Sequence, residues 1–136
     1  MFALHPRLAT DSVSVVTLSL CEVRLIRDAN YPWLILVPQR EAIREIHDLS
    51  VADQQCLMEE ISKVSKSLQT HCKAPKMNVA ALGNMVPQLH IHIVARFESD
   101  PSWPGAIWGT VPAVPYADSA LSETVRILAE RLQASA

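Results

Sequence analysis

Between Gln88 and Val94 the chain alternates polar and apolar residues without a break, as Gln-Leu-His-Ile-His-Ile-Val. Successive side chains of a strand point to opposite faces, so this segment predicts a strand with one buried face and one face open to a cleft. Leu89, Ile91 and Ile93 belong to the core face, while Gln88, His90 and His92 share the other. Val or Thr packs better on a pleated surface than imidazole, whose distinctive property is ionisation near neutral pH. Two histidines on one such face mark a candidate site.

The rest of the chain is expected to build a core beneath that strand. At 136 residues with 49% hydrophobic content it reads as one domain over 1–136 with enough apolar surface for a sizeable core. The net charge is -2 and no run of Lys or Arg occurs, so nothing global draws the chain to nucleic acid or a membrane surface. The first residues, Met1 to Arg7, lack the basic and apolar regions of a signal peptide, and no stretch reaches the roughly 18 apolar residues of a membrane span. The expectation is a soluble, cytoplasmic protein. Cys21, Cys56 and Cys72 are odd in number and form no Cys-x-x-Cys pair, which points to free buried thiols.

In chain order, the first ten or so residues read as an irregular lead-in, with Pro6 opposing a helix. Ser12 to Arg27, rich in Val, Leu, Ile and Thr, predicts two short strands meeting near Ser19 to Glu22. Asp28 to Pro32 has turn chemistry, and the apolar run Trp33 to Val37 predicts a central strand stopped by Pro38. Ser50 is a candidate helix N-cap, with Asp53 placed to reach back to it. Leu57, Ile61, Val64 and Leu68 then form one stripe of a helix of roughly five turns ending before Pro75. Glu59, Glu60, Lys63 and Lys66 are expected towards solvent. Lys76 to Leu82 alternates again and is expected to pair antiparallel with the histidine strand across a turn at Gly83. Glu98 to Pro115, rich in Pro, holds Trp103 and Trp108. Leu121, Val125, Leu128 and Leu132 predict a C-terminal helix starting near Asp118 or Ser119.

Three chemistries are open to the paired histidines. His-x-His on a strand can present two nitrogens to one metal ion, although Gln88 and Asn84 are weak further ligands. Both rings can be purely structural. Or one neutral imidazole can attack a phosphorus centre and form a phosphoramidate that water later hydrolyses. That last reaction needs a nucleophile, a donor to the phosphate oxygens and an acid for the leaving group.

Gln88-Leu89-His90-Ile91-His92-Ile93-Val94 resembles the signature of the histidine-triad (HIT) family, His-φ-His-φ-His-φ-φ with φ apolar, with Gln in the first position. Gly83-Asn84 stands five and four residues before Gln88, where that family carries Gly-Gln or Gly-Asn. An Asn-containing strand (Asn78) precedes it and Trp103-Pro104-Gly105 follows. The similarity runs from about Leu18 to Trp108.

The resemblance implies an α+β fold on an antiparallel sheet of about five strands, with one long central helix and a C-terminal helix, usually as a homodimer. It also implies hydrolysis or transfer at the α-phosphate of a small-molecule nucleotide conjugate, a phosphoramidate or dinucleoside polyphosphate, with no cofactor. His90 matches the nucleophile and His92 the histidine that contacts phosphate. Gln88 can orient but cannot relay a proton near neutral pH. Asn84 matches the phosphate-side amide and Asn78 a polar residue lining the site. Met85 stands where relatives carry Ser or Thr. Asp28 and Asn30 match the ribose loop, or are simple turn residues.

Arg96 is either a phosphate ligand or a surface charge. Trp33, Trp103 and Trp108 are aromatic candidates to stack on a base; of these Trp33 is expected in the core and Trp103 at the pocket, there or in a partner subunit. A nucleotide-binding or protein-interaction module that kept the pocket without turnover is the alternative to an enzyme.

Overall fold

The computed structural model describes residues 1–134. Five strands form one antiparallel sheet in the order β1-β2-β3-β5-β4, with β1 Ser12–Thr17, β2 Cys21–Ile26, β3 Trp33–Pro38, β4 Lys76–Ala81 and β5 Ile91–Arg96. Helices α2 (Val51–Cys72) and α3 (Asp118–Ala134) accompany the sheet, giving the expected α+β architecture. No helix among the described residues is long and apolar enough to cross a membrane.

β3 takes the middle position because its run of apolar side chains can be buried on both faces. Leu34 and Leu36 join the main core with Leu57, Ile61, Val64 and Leu68 of α2 and Leu128 and Leu132 of α3. Ile35 and Val37 face the other way and pack with Leu8 and Val86. Since Ile35 is the register partner of His92, the second histidine lies on this side of the sheet, away from α2.

A short helix, α1 (Pro6–Asp11), replaces the irregular lead-in expected at the N-terminus. Pro6 occupies the first helical position, where its missing N–H breaks no bond and its fixed φ is already helical. His5 caps the helix, its Nδ1 accepting from Arg7 N at 3.1 Å.

α2 runs 22 residues, about six turns rather than five. Ser50 Oγ caps it by accepting from Asp53 N at 3.1 Å. The Asp53 carboxylate does not reach back to the cap, because it pairs with Arg40 at 2.8 Å. Lys73 ends the helix in the left-handed region at φ 55°, two residues before Pro75.

Glu60 departs from its expected solvent position. It is 6% exposed, and its two carboxylate oxygens accept from Leu20 N and Cys21 N, each at 2.9 Å. Helical spacing puts Glu60 beside the apolar stripe, where it meets the backbone N–H groups of the β1–β2 turn that no strand partner can satisfy.

β4 and β5 pair antiparallel from Lys76↔Arg96 to Ala81↔Ile91, but the connection is a nine-residue loop, 82–90, rather than a tight turn at Gly83. Gly83 opens this loop at φ +64°, and an added Cβ would sit 3.1 Å from Val86 O. β5 therefore begins at Ile91, and Gln88 to His90 precede it. The alternation continues outside the ladder because Leu89 N bonds Ile43 O at 3.0 Å while its side chain stays in the core.

Candidate active site

β5 carries His92 to the side of the sheet opposite α2, where Trp33 from β3 and Trp108 from the 97–117 loop flank it, with ring centroids 5.7 and 5.2 Å away. The His90 ring lies 4.9 Å from that of His92 at an interplanar angle of 72°. Both histidines line a cavity of about 590 Å³, a volume suited to a small-molecule ligand. A further wall comes from α1, through Arg7 and Asp11, and from the end of β2 and the residues after it, Ile26, Arg27 and Asp28.

Hydrogen bonds assign the two rings opposite tautomers. His90 Nδ1 lies 2.8 Å from the carbonyl oxygen of Gln88, which can only accept, so Nδ1 carries the proton. In the neutral ring the lone pair is then on Nε2. Trp33 Nε1–H, which can only donate, bonds His92 Nδ1 at 3.0 Å, so the His92 proton is on Nε2. Burial, with a smaller contribution from His90, pushes His92 down from 6.5 to about 3. His92 is thus a neutral N–H donor at physiological pH, beside a ring whose lone pair, in its neutral form, is on Nε2.

Of the other residues singled out in the sequence, Asn84 and Asp28 line this cavity. Asp28 is 6% exposed, and its Oδ1 accepts from Asn30 N at 3.0 Å and Val114 N at 3.2 Å. Met85 is exposed at the cavity rim and brings no hydroxyl there.

Four candidates lie elsewhere. Asn30 Nδ2 donates to Pro112 O at 2.9 Å, tying down the loop before α3. Asn78, on β4, accepts from Arg96 Nη1 at 2.7 Å. Gln88 does not share the cavity face with the histidines, since the chain before β5 leaves the pleat and its carboxamide bonds the N-terminal segment. Trp103 does not line the cavity; its ring lies 5.7 Å from the Arg96 guanidinium.

Arg96 is neither a surface charge nor a ligand reaching the cavity. It is 1% exposed, bonded to both Asp100 oxygens at 2.8 and 3.1 Å and to Gly105 O at 2.8 Å. With Asn78 it fixes the loop that delivers Ile107 and Trp108 to the cavity.

Of the three tryptophans offered for base stacking, Trp33 and Trp108 line the cavity, Trp33 against its expected place in the core, and sequence reasoning missed the α1 wall. Trp33 shares a strand face with Ile35, the register partner of His92, but a continuous apolar run conceals which face is which. Arg7 and Asp11 were hidden because their segment carried no helical period.

An antiparallel sheet with paired imidazoles over a cavity of small-molecule size defines a narrow class of α+β protein. Residues 7–99 match the HIT domain. A crystal structure of a histidine triad protein from Marinobacter aquaeolei VT8 is 45% identical, with TM-score 0.92 over 97% of this chain and 98% of that one. Histidine triad proteins from Sinorhizobium meliloti 1021 (43% identity, TM-score 0.90, 99% and 97% covered) and Bradyrhizobium japonicum (42%, 0.91, 98% and 96%) are similarly alike. No curated protein matches the chain significantly. The chain belongs to the HIT domain family.

Proposed function

We propose that this chain is a HIT-type nucleotide hydrolase or transferase that cleaves nucleotide conjugates at the α-phosphate through a covalent nucleotidyl-His90. The observation that carries this reading is the opposed pair of tautomers, the lone pair of a neutral His90 at Nε2 beside an N–H donor at His92 Nε2.

In the first step His90 Nε2 attacks the α-phosphorus, forming a P–N bond as the bond to the leaving group breaks. The imidazole becomes cationic, and Gln88 O, already accepting from Nδ1–H, stabilises that charge. His92 Nε2–H donates to a phosphate oxygen, where a preorganised donor acts most strongly as charge develops. Water then attacks phosphorus and breaks the P–N bond. This releases the nucleoside monophosphate, and the proton from water leaves to solvent. A nucleotide acceptor in place of water makes the same step a transfer.

Asn84 is the polar side chain of the loop best placed for the phosphate, and Asp28 for ribose hydroxyls, since both line the cavity. Gln88, Asn78, Asn30 and Trp103 have no direct contact with substrate in this reading. Met85 supplies no proton to a departing amine, which favours dinucleoside polyphosphates, whose departing phosphate leaves as an anion, over phosphoramidates. The protein works in the cytoplasm, as a homodimer joined at the unpaired edge of β4, where Val79 is exposed.

The test is an intact-mass measurement on protein mixed with diadenosine tetraphosphate and quenched cold, alongside His90→Ala. One nucleotidyl adduct is expected on the wild type and none on the variant, with AMP binding retained by both. A wild type that binds AMP but forms no adduct and turns over neither polyphosphates nor phosphoramidates is a binding module instead.

A further inference from the structure

Gln88 holds the first position of the motif, yet its carboxamide is directed away from the histidines. Its Nε2 donates to Ala3 O at 2.9 Å and its Oε1 accepts from His5 N at 2.8 Å. A C=O and the N–H two residues on are the pair that a parallel neighbouring strand engages with one residue. The single amide group of Gln88 therefore does for residues 3–5 what an adjacent backbone would do. It lines a second cavity, about 320 Å³, between the N-terminal segment and residues 42–44.

What this clamp holds is the α1 wall of the first cavity. α1 has 6 residues, and so short a helix does not persist without tertiary support. Leu8 anchors its middle against Ile35, Val37 and Val86. Its N-cap, His5, is the residue whose N–H Gln88 binds. From this helix Arg7 and Asp11 face the cavity that His90 and His92 line. The main-chain oxygen of the same Gln88 accepts from His90 Nδ1 at 2.8 Å. One residue thus touches the nucleophile through its backbone and the ligand-binding wall through its side chain.

We propose that Gln88 is a positioning residue for substrate binding, which sets the α1 wall of the cavity at a fixed distance from His90 and takes no part in proton transfer. The proposal rests on the nucleotide reading of the cavity given above. Because the carbonyl that orients His90 is main chain, altering the Gln88 side chain moves the wall and leaves the nucleophile's tautomer in place.

The experiment measures AMP affinity by calorimetry, and KM and kcat on diadenosine tetraphosphate, for the wild type and Gln88→Ala, with Gln88→Glu as the second variant should the first fold poorly. A carboxylate keeps the acceptor for His5 N–H and loses the donor to Ala3 O. AMP affinity is expected to fall at least 10-fold and KM to rise in step, with kcat within about threefold of wild type. The ¹⁵N signature of a protonated His90 Nδ1 is expected unchanged. Gln88→His supplies a titratable ring without both bonds and is expected to follow Gln88→Ala.

AMP affinity and KM within twofold of wild type would overturn the proposal while leaving the nucleotide reading standing. So would a 100-fold loss of kcat at constant KM, or a Gln88→His enzyme faster than wild type. A wild type that binds no nucleotide removes the reading, and the proposal with it.

Discussion

Replacing Asp100 by Asn tests how the tryptophan loop is held over the cavity. Arg96 is 1% exposed, and among the described residues Asp100 is the carboxylate paired with it, through two bonds of 2.8 and 3.1 Å. Asp100 also accepts from the backbone N–H groups of Phe97 (3.1 Å), Ser102 (3.1 Å) and Trp103 (2.8 Å). An asparagine leaves the buried guanidinium without a counter-charge and turns an NH2 towards donors. Breaking a buried pair from one side costs about 3–5 kcal/mol.

The shift in ionisation gives a second figure. The hydrogen bond from Arg96, more than any other contact, holds the Asp100 carboxyl down from 3.8 to about 2. That difference corresponds to roughly 2 kcal/mol of stability. Because the folded-state value is the lower one, this contribution is complete above about pH 4 and is lost as pH falls through 2. Urea unfolding, followed by far-UV circular dichroism, is expected to show Asp100→Asn destabilised by about 3–5 kcal/mol at pH 7. The gap to wild type is expected to narrow by roughly 2 kcal/mol between pH 5 and pH 2. Nucleotide affinity is expected to fall as well, since the loop carries Trp108. A variant within 1 kcal/mol of wild type at pH 7, with a pH-independent gap, refutes the account.

Trp33→Phe removes the donor to His92 Nδ1 and leaves a buried acceptor unpaired, at a cost of about 1–3 kcal/mol. ¹⁵N spectra are expected to show His92 in one tautomer in the wild type and in a mixture in the variant, with a higher pKa, though burial and His90 still hold it below 6.5; an unchanged tautomer would show that Trp33 does not set it. Glu60→Gln presents an NH2 to one of the two backbone N–H groups of Leu20 and Cys21 and is expected to cost about 1–3 kcal/mol in chemical denaturation. A loss below about 0.5 kcal/mol would mean that those N–H groups find other partners.

Periodicity made the framework legible. The stripe from Leu57 to Leu68 and the alternation through Leu89, Ile91 and Ile93 identify core faces because burial selects on every turn or every second residue. The histidines were legible for the complementary reason, since ring pairs of that kind interrupt a pattern that packing alone would fill with Val or Ile. What stayed hidden depends on where backbone groups need partners. Glu60 looks like a surface charge until the β1–β2 turn is seen to lie against it, and Gln88 looks like a pleat neighbour of His90 until Ala3 and His5 arrive beside it. Pro6 misled because the same ring that breaks a helix interior is favoured at its first position. Trp33 and Trp103 exchanged expected places because one apolar run carries no mark of its two faces, while Arg96, drawn inward by Asp100, recruited the ring of Trp103.

The placement of the three indoles gives the chain its own optical readout. Trp33 and Trp108 border the space where a ligand would lie, whereas Trp103 rests on a guanidinium outside it. Emission from the first two is expected to respond to occupancy, and from the third to the integrity of the surrounding loop. Single-tryptophan versions of this protein would therefore separate filling of the cleft from loosening of its rim in real time, without an attached dye.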